Sequence, residues 1–297
     1  MMAARNRNKS LVFQIKQQLD LKLKIGESKR AAKENHTAHE GIYSWETYRS
    51  YLRHCIYFAK FCEQKHGCKT WTECRPYVDE WLQHRIDQKL SPYTIKLEAS
   101  ALAKLYGCRT TEFINTPPRL RSNITRSRGS ALRDVRFSEK RNADLVNFCR
   151  STGLRRAELR ALTGDKLVKR DGRYYIHVCS GSKGGKERYA PVIGDVDLVV
   201  RLMKDAGSAK VFPLVNAGAD IHGYRAEYAV RIYNSLARGI EDMERRDIYF
   251  CRGDMRGLWL DRQAMLEASR ALGHNRIDVV AEHYLWLNHQ DEGVNTK

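Results

Sequence analysis

The 297-residue sequence has no uninterrupted apolar run approaching the roughly 18 residues that a membrane-spanning helix requires. No segment is therefore expected to cross a bilayer. Its start, Met1 to Arg30, is basic but lacks the apolar stretch and small-residue cleavage site of a secretory signal, which points to the cytoplasm. None of the eight cysteines forms the Cys-x-x-Cys pair that structural zinc prefers. Cys55, Cys62, Cys68 and Cys74, near His54 and His66, are accordingly expected to pack as small hydrophobes rather than bind metal. Aspartate and glutamate clusters with metal-ligand spacing are missing too, so neither a metal nor a cofactor is expected. Acidic residues are scarce overall: 35 against 53 Lys and Arg, a formal net charge of +18. An excess of that size predicts a polyanionic partner.

The chain is long enough for two ordinary domains. Residues 1–40 are polar and basic; Val12, Ile15 and Leu19 predict one amphipathic helix, serving either as a nucleic-acid-contacting arm or as a solvated tail. From Ile42 the pattern is helical, with Tyr48, Leu52, Cys55, Ala59 and Cys62 on one face. A second helix is expected over 76–88, with Val78, Trp81, Leu82 and Ile86 inward. A third begins at Ser91-Pro92, a good cap followed by proline at the first helical position, and stops at Gly107. Residues 41–116 thus read as a helical bundle. Residues 117–136 read as a basic linker with six arginines, of which Arg126 and Arg128 are candidate phosphate contacts. Residues 137–297 mix helices with a few strands. Arg173–Cys179 and Arg188–Ile193 flank a glycine-rich turn and predict a β-hairpin. The fold class expected is mainly α with a small β component (α+β).

Five short pieces of the second half carry chemistry. Thr152-Gly153-Leu154-Arg155-Arg156-Ala157-Glu158-Leu159 puts Arg155 where a helix opens, with Glu158 as its acceptor. Gly181-Ser182-Lys183-Gly184-Gly185-Lys186-Glu187-Arg188 carries two lysines on the hairpin turn, either of which could act. His222-Gly223-Tyr224-Arg225 puts a histidine and an arginine on one helical face. Leu272-Gly273-His274 is followed ten residues later by Tyr284. Moving a phosphodiester onto a hydroxyl needs a nucleophile, cations on the non-bridging oxygens and a proton for the leaving oxygen. Two arginines, a lysine, two histidines and a tyrosine supply all three without metal, the planar arginine forks matching phosphate oxygens.

In this order the pieces resemble the tyrosine recombinase (phage integrase) family, the match covering the whole second half. The helical first half is similar to that family's core-binding domain. The resemblance implies a two-domain C-shaped clamp, with residues 137–297 as the catalytic domain. It implies that Arg155 and Arg225 hold the scissile phosphate, that His222 and His274 hydrogen-bond the transition state, and that Tyr284 attacks. It implies further that Lys183, which keeps the family's offset to Pro191, protonates the leaving 5′ oxygen, with Lys186 as a phosphate contact. The partner implied is double-stranded DNA carrying specific sites, bound by a homotetramer with an accessory directionality factor. A bacterial or phage-encoded integration and excision enzyme fits best; a type IB topoisomerase-like enzyme and a silent DNA-binding regulator are the alternatives. One departure stands out. Arg225 and His274 are 49 residues apart, longer than the family norm, and the extra material at 239–260 offers Arg252 and Arg256 as rival clamps. It reads as two short strands about a turn, or an irregular loop.

Overall fold

The computed structural model describes residues 10–120, 137–182, 187–252, 255–274 and 276–285. Arg126, Arg128, Lys183 and Lys186 lie outside the described residues. The chain divides into two compact units, and the division falls between Thr125 and Arg126, within the stretch expected as a linker.

The first unit is built from α1 (Leu11–Asp20), α2 (Lys29–Glu34), α3 (Trp45–His66), α4 (Val78–Asp87) and α5 (Pro92–Tyr106). Local chemistry sets the helix ends. Ser44 accepts from the Thr47 amide, so α3 begins at Trp45 and not at Ile42, which forms a bridge with Leu23 instead. Ser91 caps α5 ahead of Pro92, and Gly107 ends it with φ at 68°. The core joins Cys55, Phe58 and Cys62 of α3 to Val78 and Leu82 of α4 and Ile95 and Leu102 of α5. Leu11, Ile15 and Leu19 of α1 are buried in the same core. That part of the basic N-terminal segment is therefore packed into the helical unit rather than standing off as an arm, and Leu11 replaces Val12 on the buried face. Glu98, fully buried on α5, receives Nε and Nη2 of Arg85 from α4, each at 3.1 Å, and pairs with His54 of α3 at 3.2 Å.

The second unit runs α6 (Ala143–Thr152), α7 (Arg156–Ala161), β1 (Leu167–Arg170), β2 (Arg173–Val178), β3 (Arg188–Pro191), α8 (Val196–Ala206), α9 (Ile221–Leu236), β4 (Ile248–Phe250), β5 (Trp259–Asp261), α10 (Arg262–Ala271) and α11 (Ile277–His283). The expected hairpin is there as β2 and β3, antiparallel, with His177 opposite Tyr189. A strand not anticipated, β1, completes a three-stranded sheet. Its turn to β2 is Asp171-Gly172, both at positive φ (49° and 76°), the two-residue turn that matches strand twist. The insertion contains the two short strands, β4 and β5, paired antiparallel. Arg238 anchors it by donating to both carboxylate oxygens of buried Asp261, at 2.8 and 2.9 Å. Helix α9 packs against both α6 and α10, and this positions the site. The whole is mainly helical with small antiparallel sheets, the α+β class expected. No helix among the described residues is long and apolar enough to cross a membrane.

Candidate active site

The Thr-Gly-Leu-Arg run is a helix stop followed at once by a helix start. Gly153 ends α6 with φ at 58°, where an added Cβ would lie 2.1 Å from the buried Tyr228 ring. Leu154 sinks into the core, and Arg155 becomes the cap of α7. Glu158, three residues on and almost fully buried, accepts from the Arg155 amide at 2.7 Å and from its Nη1 at 2.8 Å. The other terminal nitrogen of Arg155 stands 3.4 Å from Nε2 of His274.

Arg225, one turn into α9, is 2% exposed. Its Nη1 donates to the Gly153 carbonyl and its Nη2 to the Leu272 carbonyl, both at helix ends. Nη2 also lies 3.3 Å from Nε2 of His274, and Nε lies 3.3 Å from the Tyr284 hydroxyl. Burial lowers its pKa to about 10, opposed by Tyr284, so it stays charged at neutral pH. An arginine N–H can only donate, and the single lone pair on Nε2 of a neutral His274 is shared between the two guanidiniums at 3.3 and 3.4 Å. The Tyr284 hydroxyl is 3.5 Å from that same nitrogen. Tyr284 is buried at the end of α11, and the exposed His222 on the first turn of α9 lies with its ring centroid 5.3 Å from that of the tyrosine.

Arg155, Glu158, His222, Arg225, His274 and Tyr284 are thus brought together in one unit from α7, α9, the turn after α10 and the end of α11. Arg252 and Arg256 are exposed, and it is Arg225 and His274 that lie within hydrogen-bond reach of the Tyr284 hydroxyl. Sequence reasoning missed Arg188. This arginine, on the inward side of β3, is 9% exposed and grips Glu158 with both terminal nitrogens, at 2.7 and 2.8 Å, while Nε donates to the Ala271 carbonyl at 3.2 Å. Burial alone would push the Glu158 carboxyl up; the bonds from Arg188 and then Arg155 hold it down at about 2. Gly273, at φ 71°, passes so close that a Cβ would come 2.8 Å from Cδ of Arg188, which accounts for glycine ahead of His274. A signal for Arg188 existed. Strand alternation puts it on the same face as the buried Ala190, and a core-facing arginine requires a buried acid. Among the described residues, no group of three or more His, Cys, Asp or Glu side chains could hold a metal ion.

No protein-family model matches the sequence, and no curated protein matches it. Solved structures do. The chain is similar to XerH site-specific recombinase bound to palindromic difH substrate in a post-cleavage complex, at 14% identity over 97% of this chain and 96% of that one, with a TM-score of 0.54. It is also similar, at 14% identity over 87% of this chain and 95% of that one and a TM-score of 0.43, to the Tn1549 transposon integrase in complex with circular intermediate DNA. The chain has the fold of the tyrosine recombinases.

Proposed function

We propose that the protein is a site-specific DNA recombinase that cleaves and rejoins duplex DNA through a 3′-phosphotyrosyl intermediate, serving integration and excision of a mobile element. The reading rests on one observation: the Tyr284 hydroxyl lies within hydrogen-bond reach of Arg225 and His274, and His274 is in turn within reach of Arg155. A tyrosine hydroxyl is a weak nucleophile, and cations placed around the reacting phosphate stabilise the charge that develops during attack.

In the reaction proposed, the scissile phosphate enters between the arginines and its non-bridging oxygens take their donors. The Tyr284 oxygen passes its proton to Nε2 of His274, 3.5 Å away, and forms the new bond to phosphorus while the bond to the 5′ oxygen breaks. Lys183 supplies the proton that lets the 5′ oxygen depart as a hydroxyl, and Lys186 contacts a phosphate. His222 donates to the pentavalent transition state, and so does His274 once its Nε2 carries the tyrosine proton. Attack by a 5′ hydroxyl from another strand reverses the step and completes exchange. The phosphodiester energy is kept in the phosphotyrosine, so ATP is not consumed. Arg126 and Arg128 track the backbone, a homotetramer assembles on two DNA sites, and an accessory factor sets direction.

The test is incubation with a pool of nicked duplexes of randomised sequence, followed by denaturing electrophoresis. A covalent adduct that maps to Tyr284, and then joining between two duplexes, is the expected result. Adduct formation with relaxation of any DNA but no joining would favour a type IB topoisomerase-like enzyme. Binding with no adduct would leave a silent regulator.

A further inference from the structure

We propose that Arg188 is a positioning residue that keeps Arg155 available to phosphate by occupying the half of Glu158 that Arg155 would otherwise take. The proposal deepens the recombinase reading and rests on it.

A lone carboxylate beside a lone arginine forms a bidentate, fork-on-fork pair, which engages two of the guanidinium nitrogens. Glu158 does not treat Arg155 this way. Its Oε1 accepts Nη1 of Arg155 and Nη1 of Arg188, at 2.8 and 2.7 Å. Its Oε2 accepts the Arg155 amide and Nη2 of Arg188, at 2.7 and 2.8 Å. Four donors exhaust a carboxylate's roughly four lone-pair sites. Arg155 is thereby limited to one side-chain bond with the acid, and its Nη2 is turned to His274. The charge count agrees: Arg155, Arg188 and Arg225 against Glu158 leave two net positive charges in the site, whereas without Arg188 only one would remain.

Arg188 is itself fixed on two sides. Nε donates to the carbonyl of Ala271 at the end of α10, and Gly273 packs against the side chain. The arginine therefore joins β3, the cap of α7 and the turn bearing His274. Without it, Glu158 is free to close both oxygens onto Arg155 and withdraw that guanidinium from the phosphate.

The experiment uses the full chain and four proteins: wild type, Arg188→Met, Glu158→Gln and the double variant. The substrate is the nicked duplex recovered with wild type from the randomised pool, with Tyr284→Phe as the control for the chemistry. Arg188→Met should lower single-turnover adduct formation by about 10²-fold, the size of effect that misplacing one catalytic group produces, with the DNA Kd within about threefold of wild type. The double variant should recover about tenfold, because a neutral glutamine has no charge with which to hold Arg155. Cleavage by Arg188→Met at the wild-type rate overturns the proposal. So does a double variant no better than Arg188→Met, which would reduce Arg188 to a support of the fold. If Arg188→Met melts too low to assay, the double variant, whose buried charge is removed, decides against Glu158→Gln: equal rates support the proposal and a further large loss overturns it. The ¹⁵N signal of the Arg155 guanidinium, read by NMR without DNA, should shift in Arg188→Met and return in the double variant. That readout separates failure of this proposal from failure of the recombinase reading, in which wild type itself forms no adduct.

Discussion

Glu98 in the first unit and Glu158 in the second are both buried carboxylates, one held by Arg85 and His54 and the other by Arg188 and Arg155, yet one network closes on itself and the other does not. At Glu98, Arg85 spends Nε and Nη2 on the acid and Nη1 on Gln88, and its guanidinium lies 4.8 Å from the Trp81 ring centroid. His54 completes the acid's shell. These contacts tie α3, α4 and α5 together. At Glu158 the same ingredients leave Arg155 with a nitrogen facing His274, and beyond it Arg225 and Tyr284. In both places burial opposes the acid's charge, and hydrogen bonds overcome it, from His54 and Arg85 at Glu98 and from Arg188 and Arg155 at Glu158, to hold the pKa below the ordinary carboxylate value. A depressed acid therefore does not mark a site. What marks one is a partner cation with a donor left over, aimed at a nucleophile.

Tyr284→Phe should give the largest effect on the Glu158 side: adduct formation falls by about 10⁴-fold or more while DNA binding is kept, since only the attacking oxygen is lost. An adduct that persists and maps to another tyrosine would remove the chemistry from this unit. Arg225→Lys comes next. Its Nε, Nη1 and Nη2 serve four partners that one ammonium cannot satisfy, and cleavage should drop by about 10²–10³-fold in a single-turnover assay.

Glu98→Ala should act on stability alone. Leaving the partly exposed Arg85 without its acid is expected to cost about 1–3 kcal/mol in denaturant unfolding, while adduct formation by the folded fraction is unchanged. A selective loss of cleavage in this variant would erase the difference between the two networks. The acid limb of stability sharpens that difference for Glu158. Its folded pKa of about 2 lies below the ordinary 4.5, so its contribution is complete above about pH 4.5 and is lost as pH falls toward 2. The stability advantage of wild type over Glu158→Gln should therefore shrink, by on the order of 3 kcal/mol, across that window. An advantage that stays constant with pH would show that the carboxylate is not held by charge. The smallest effects belong to Arg252→Ala and Arg256→Ala, both exposed, which should change adduct formation by less than about threefold. An inactive Arg256→Ala beside a competent Arg225→Lys would reverse the choice of clamp.

Much of this arrangement was legible in the residues alone, because helix ends and faces are local matters. Ser91-Pro92 and Gly107 bounded α5, Gly153 separated α6 from α7, and the periodicity of α3 and α4 named most of the buried residues on those two helices, though not Phe58. The ordered motifs of the second half named the residues that meet around Tyr284, Glu158 among them, but not the second partner of that acid. Backbone preference, capping and side-chain period act between near neighbours, so the sequence determined them without the fold. Tertiary structure decided the rest. Nothing near Leu11 says that α1 is covered by α3, and nothing near Arg188 says that its partner is Glu158, thirty residues earlier in the chain. Whether an arginine is solvated or buried depends on an acid brought from a distant segment, since an unpaired buried charge is too costly to keep. The same holds for Arg225 against Arg252 and Arg256. Only the packing of α9 between α6 and α10 puts one of the three beside the tyrosine.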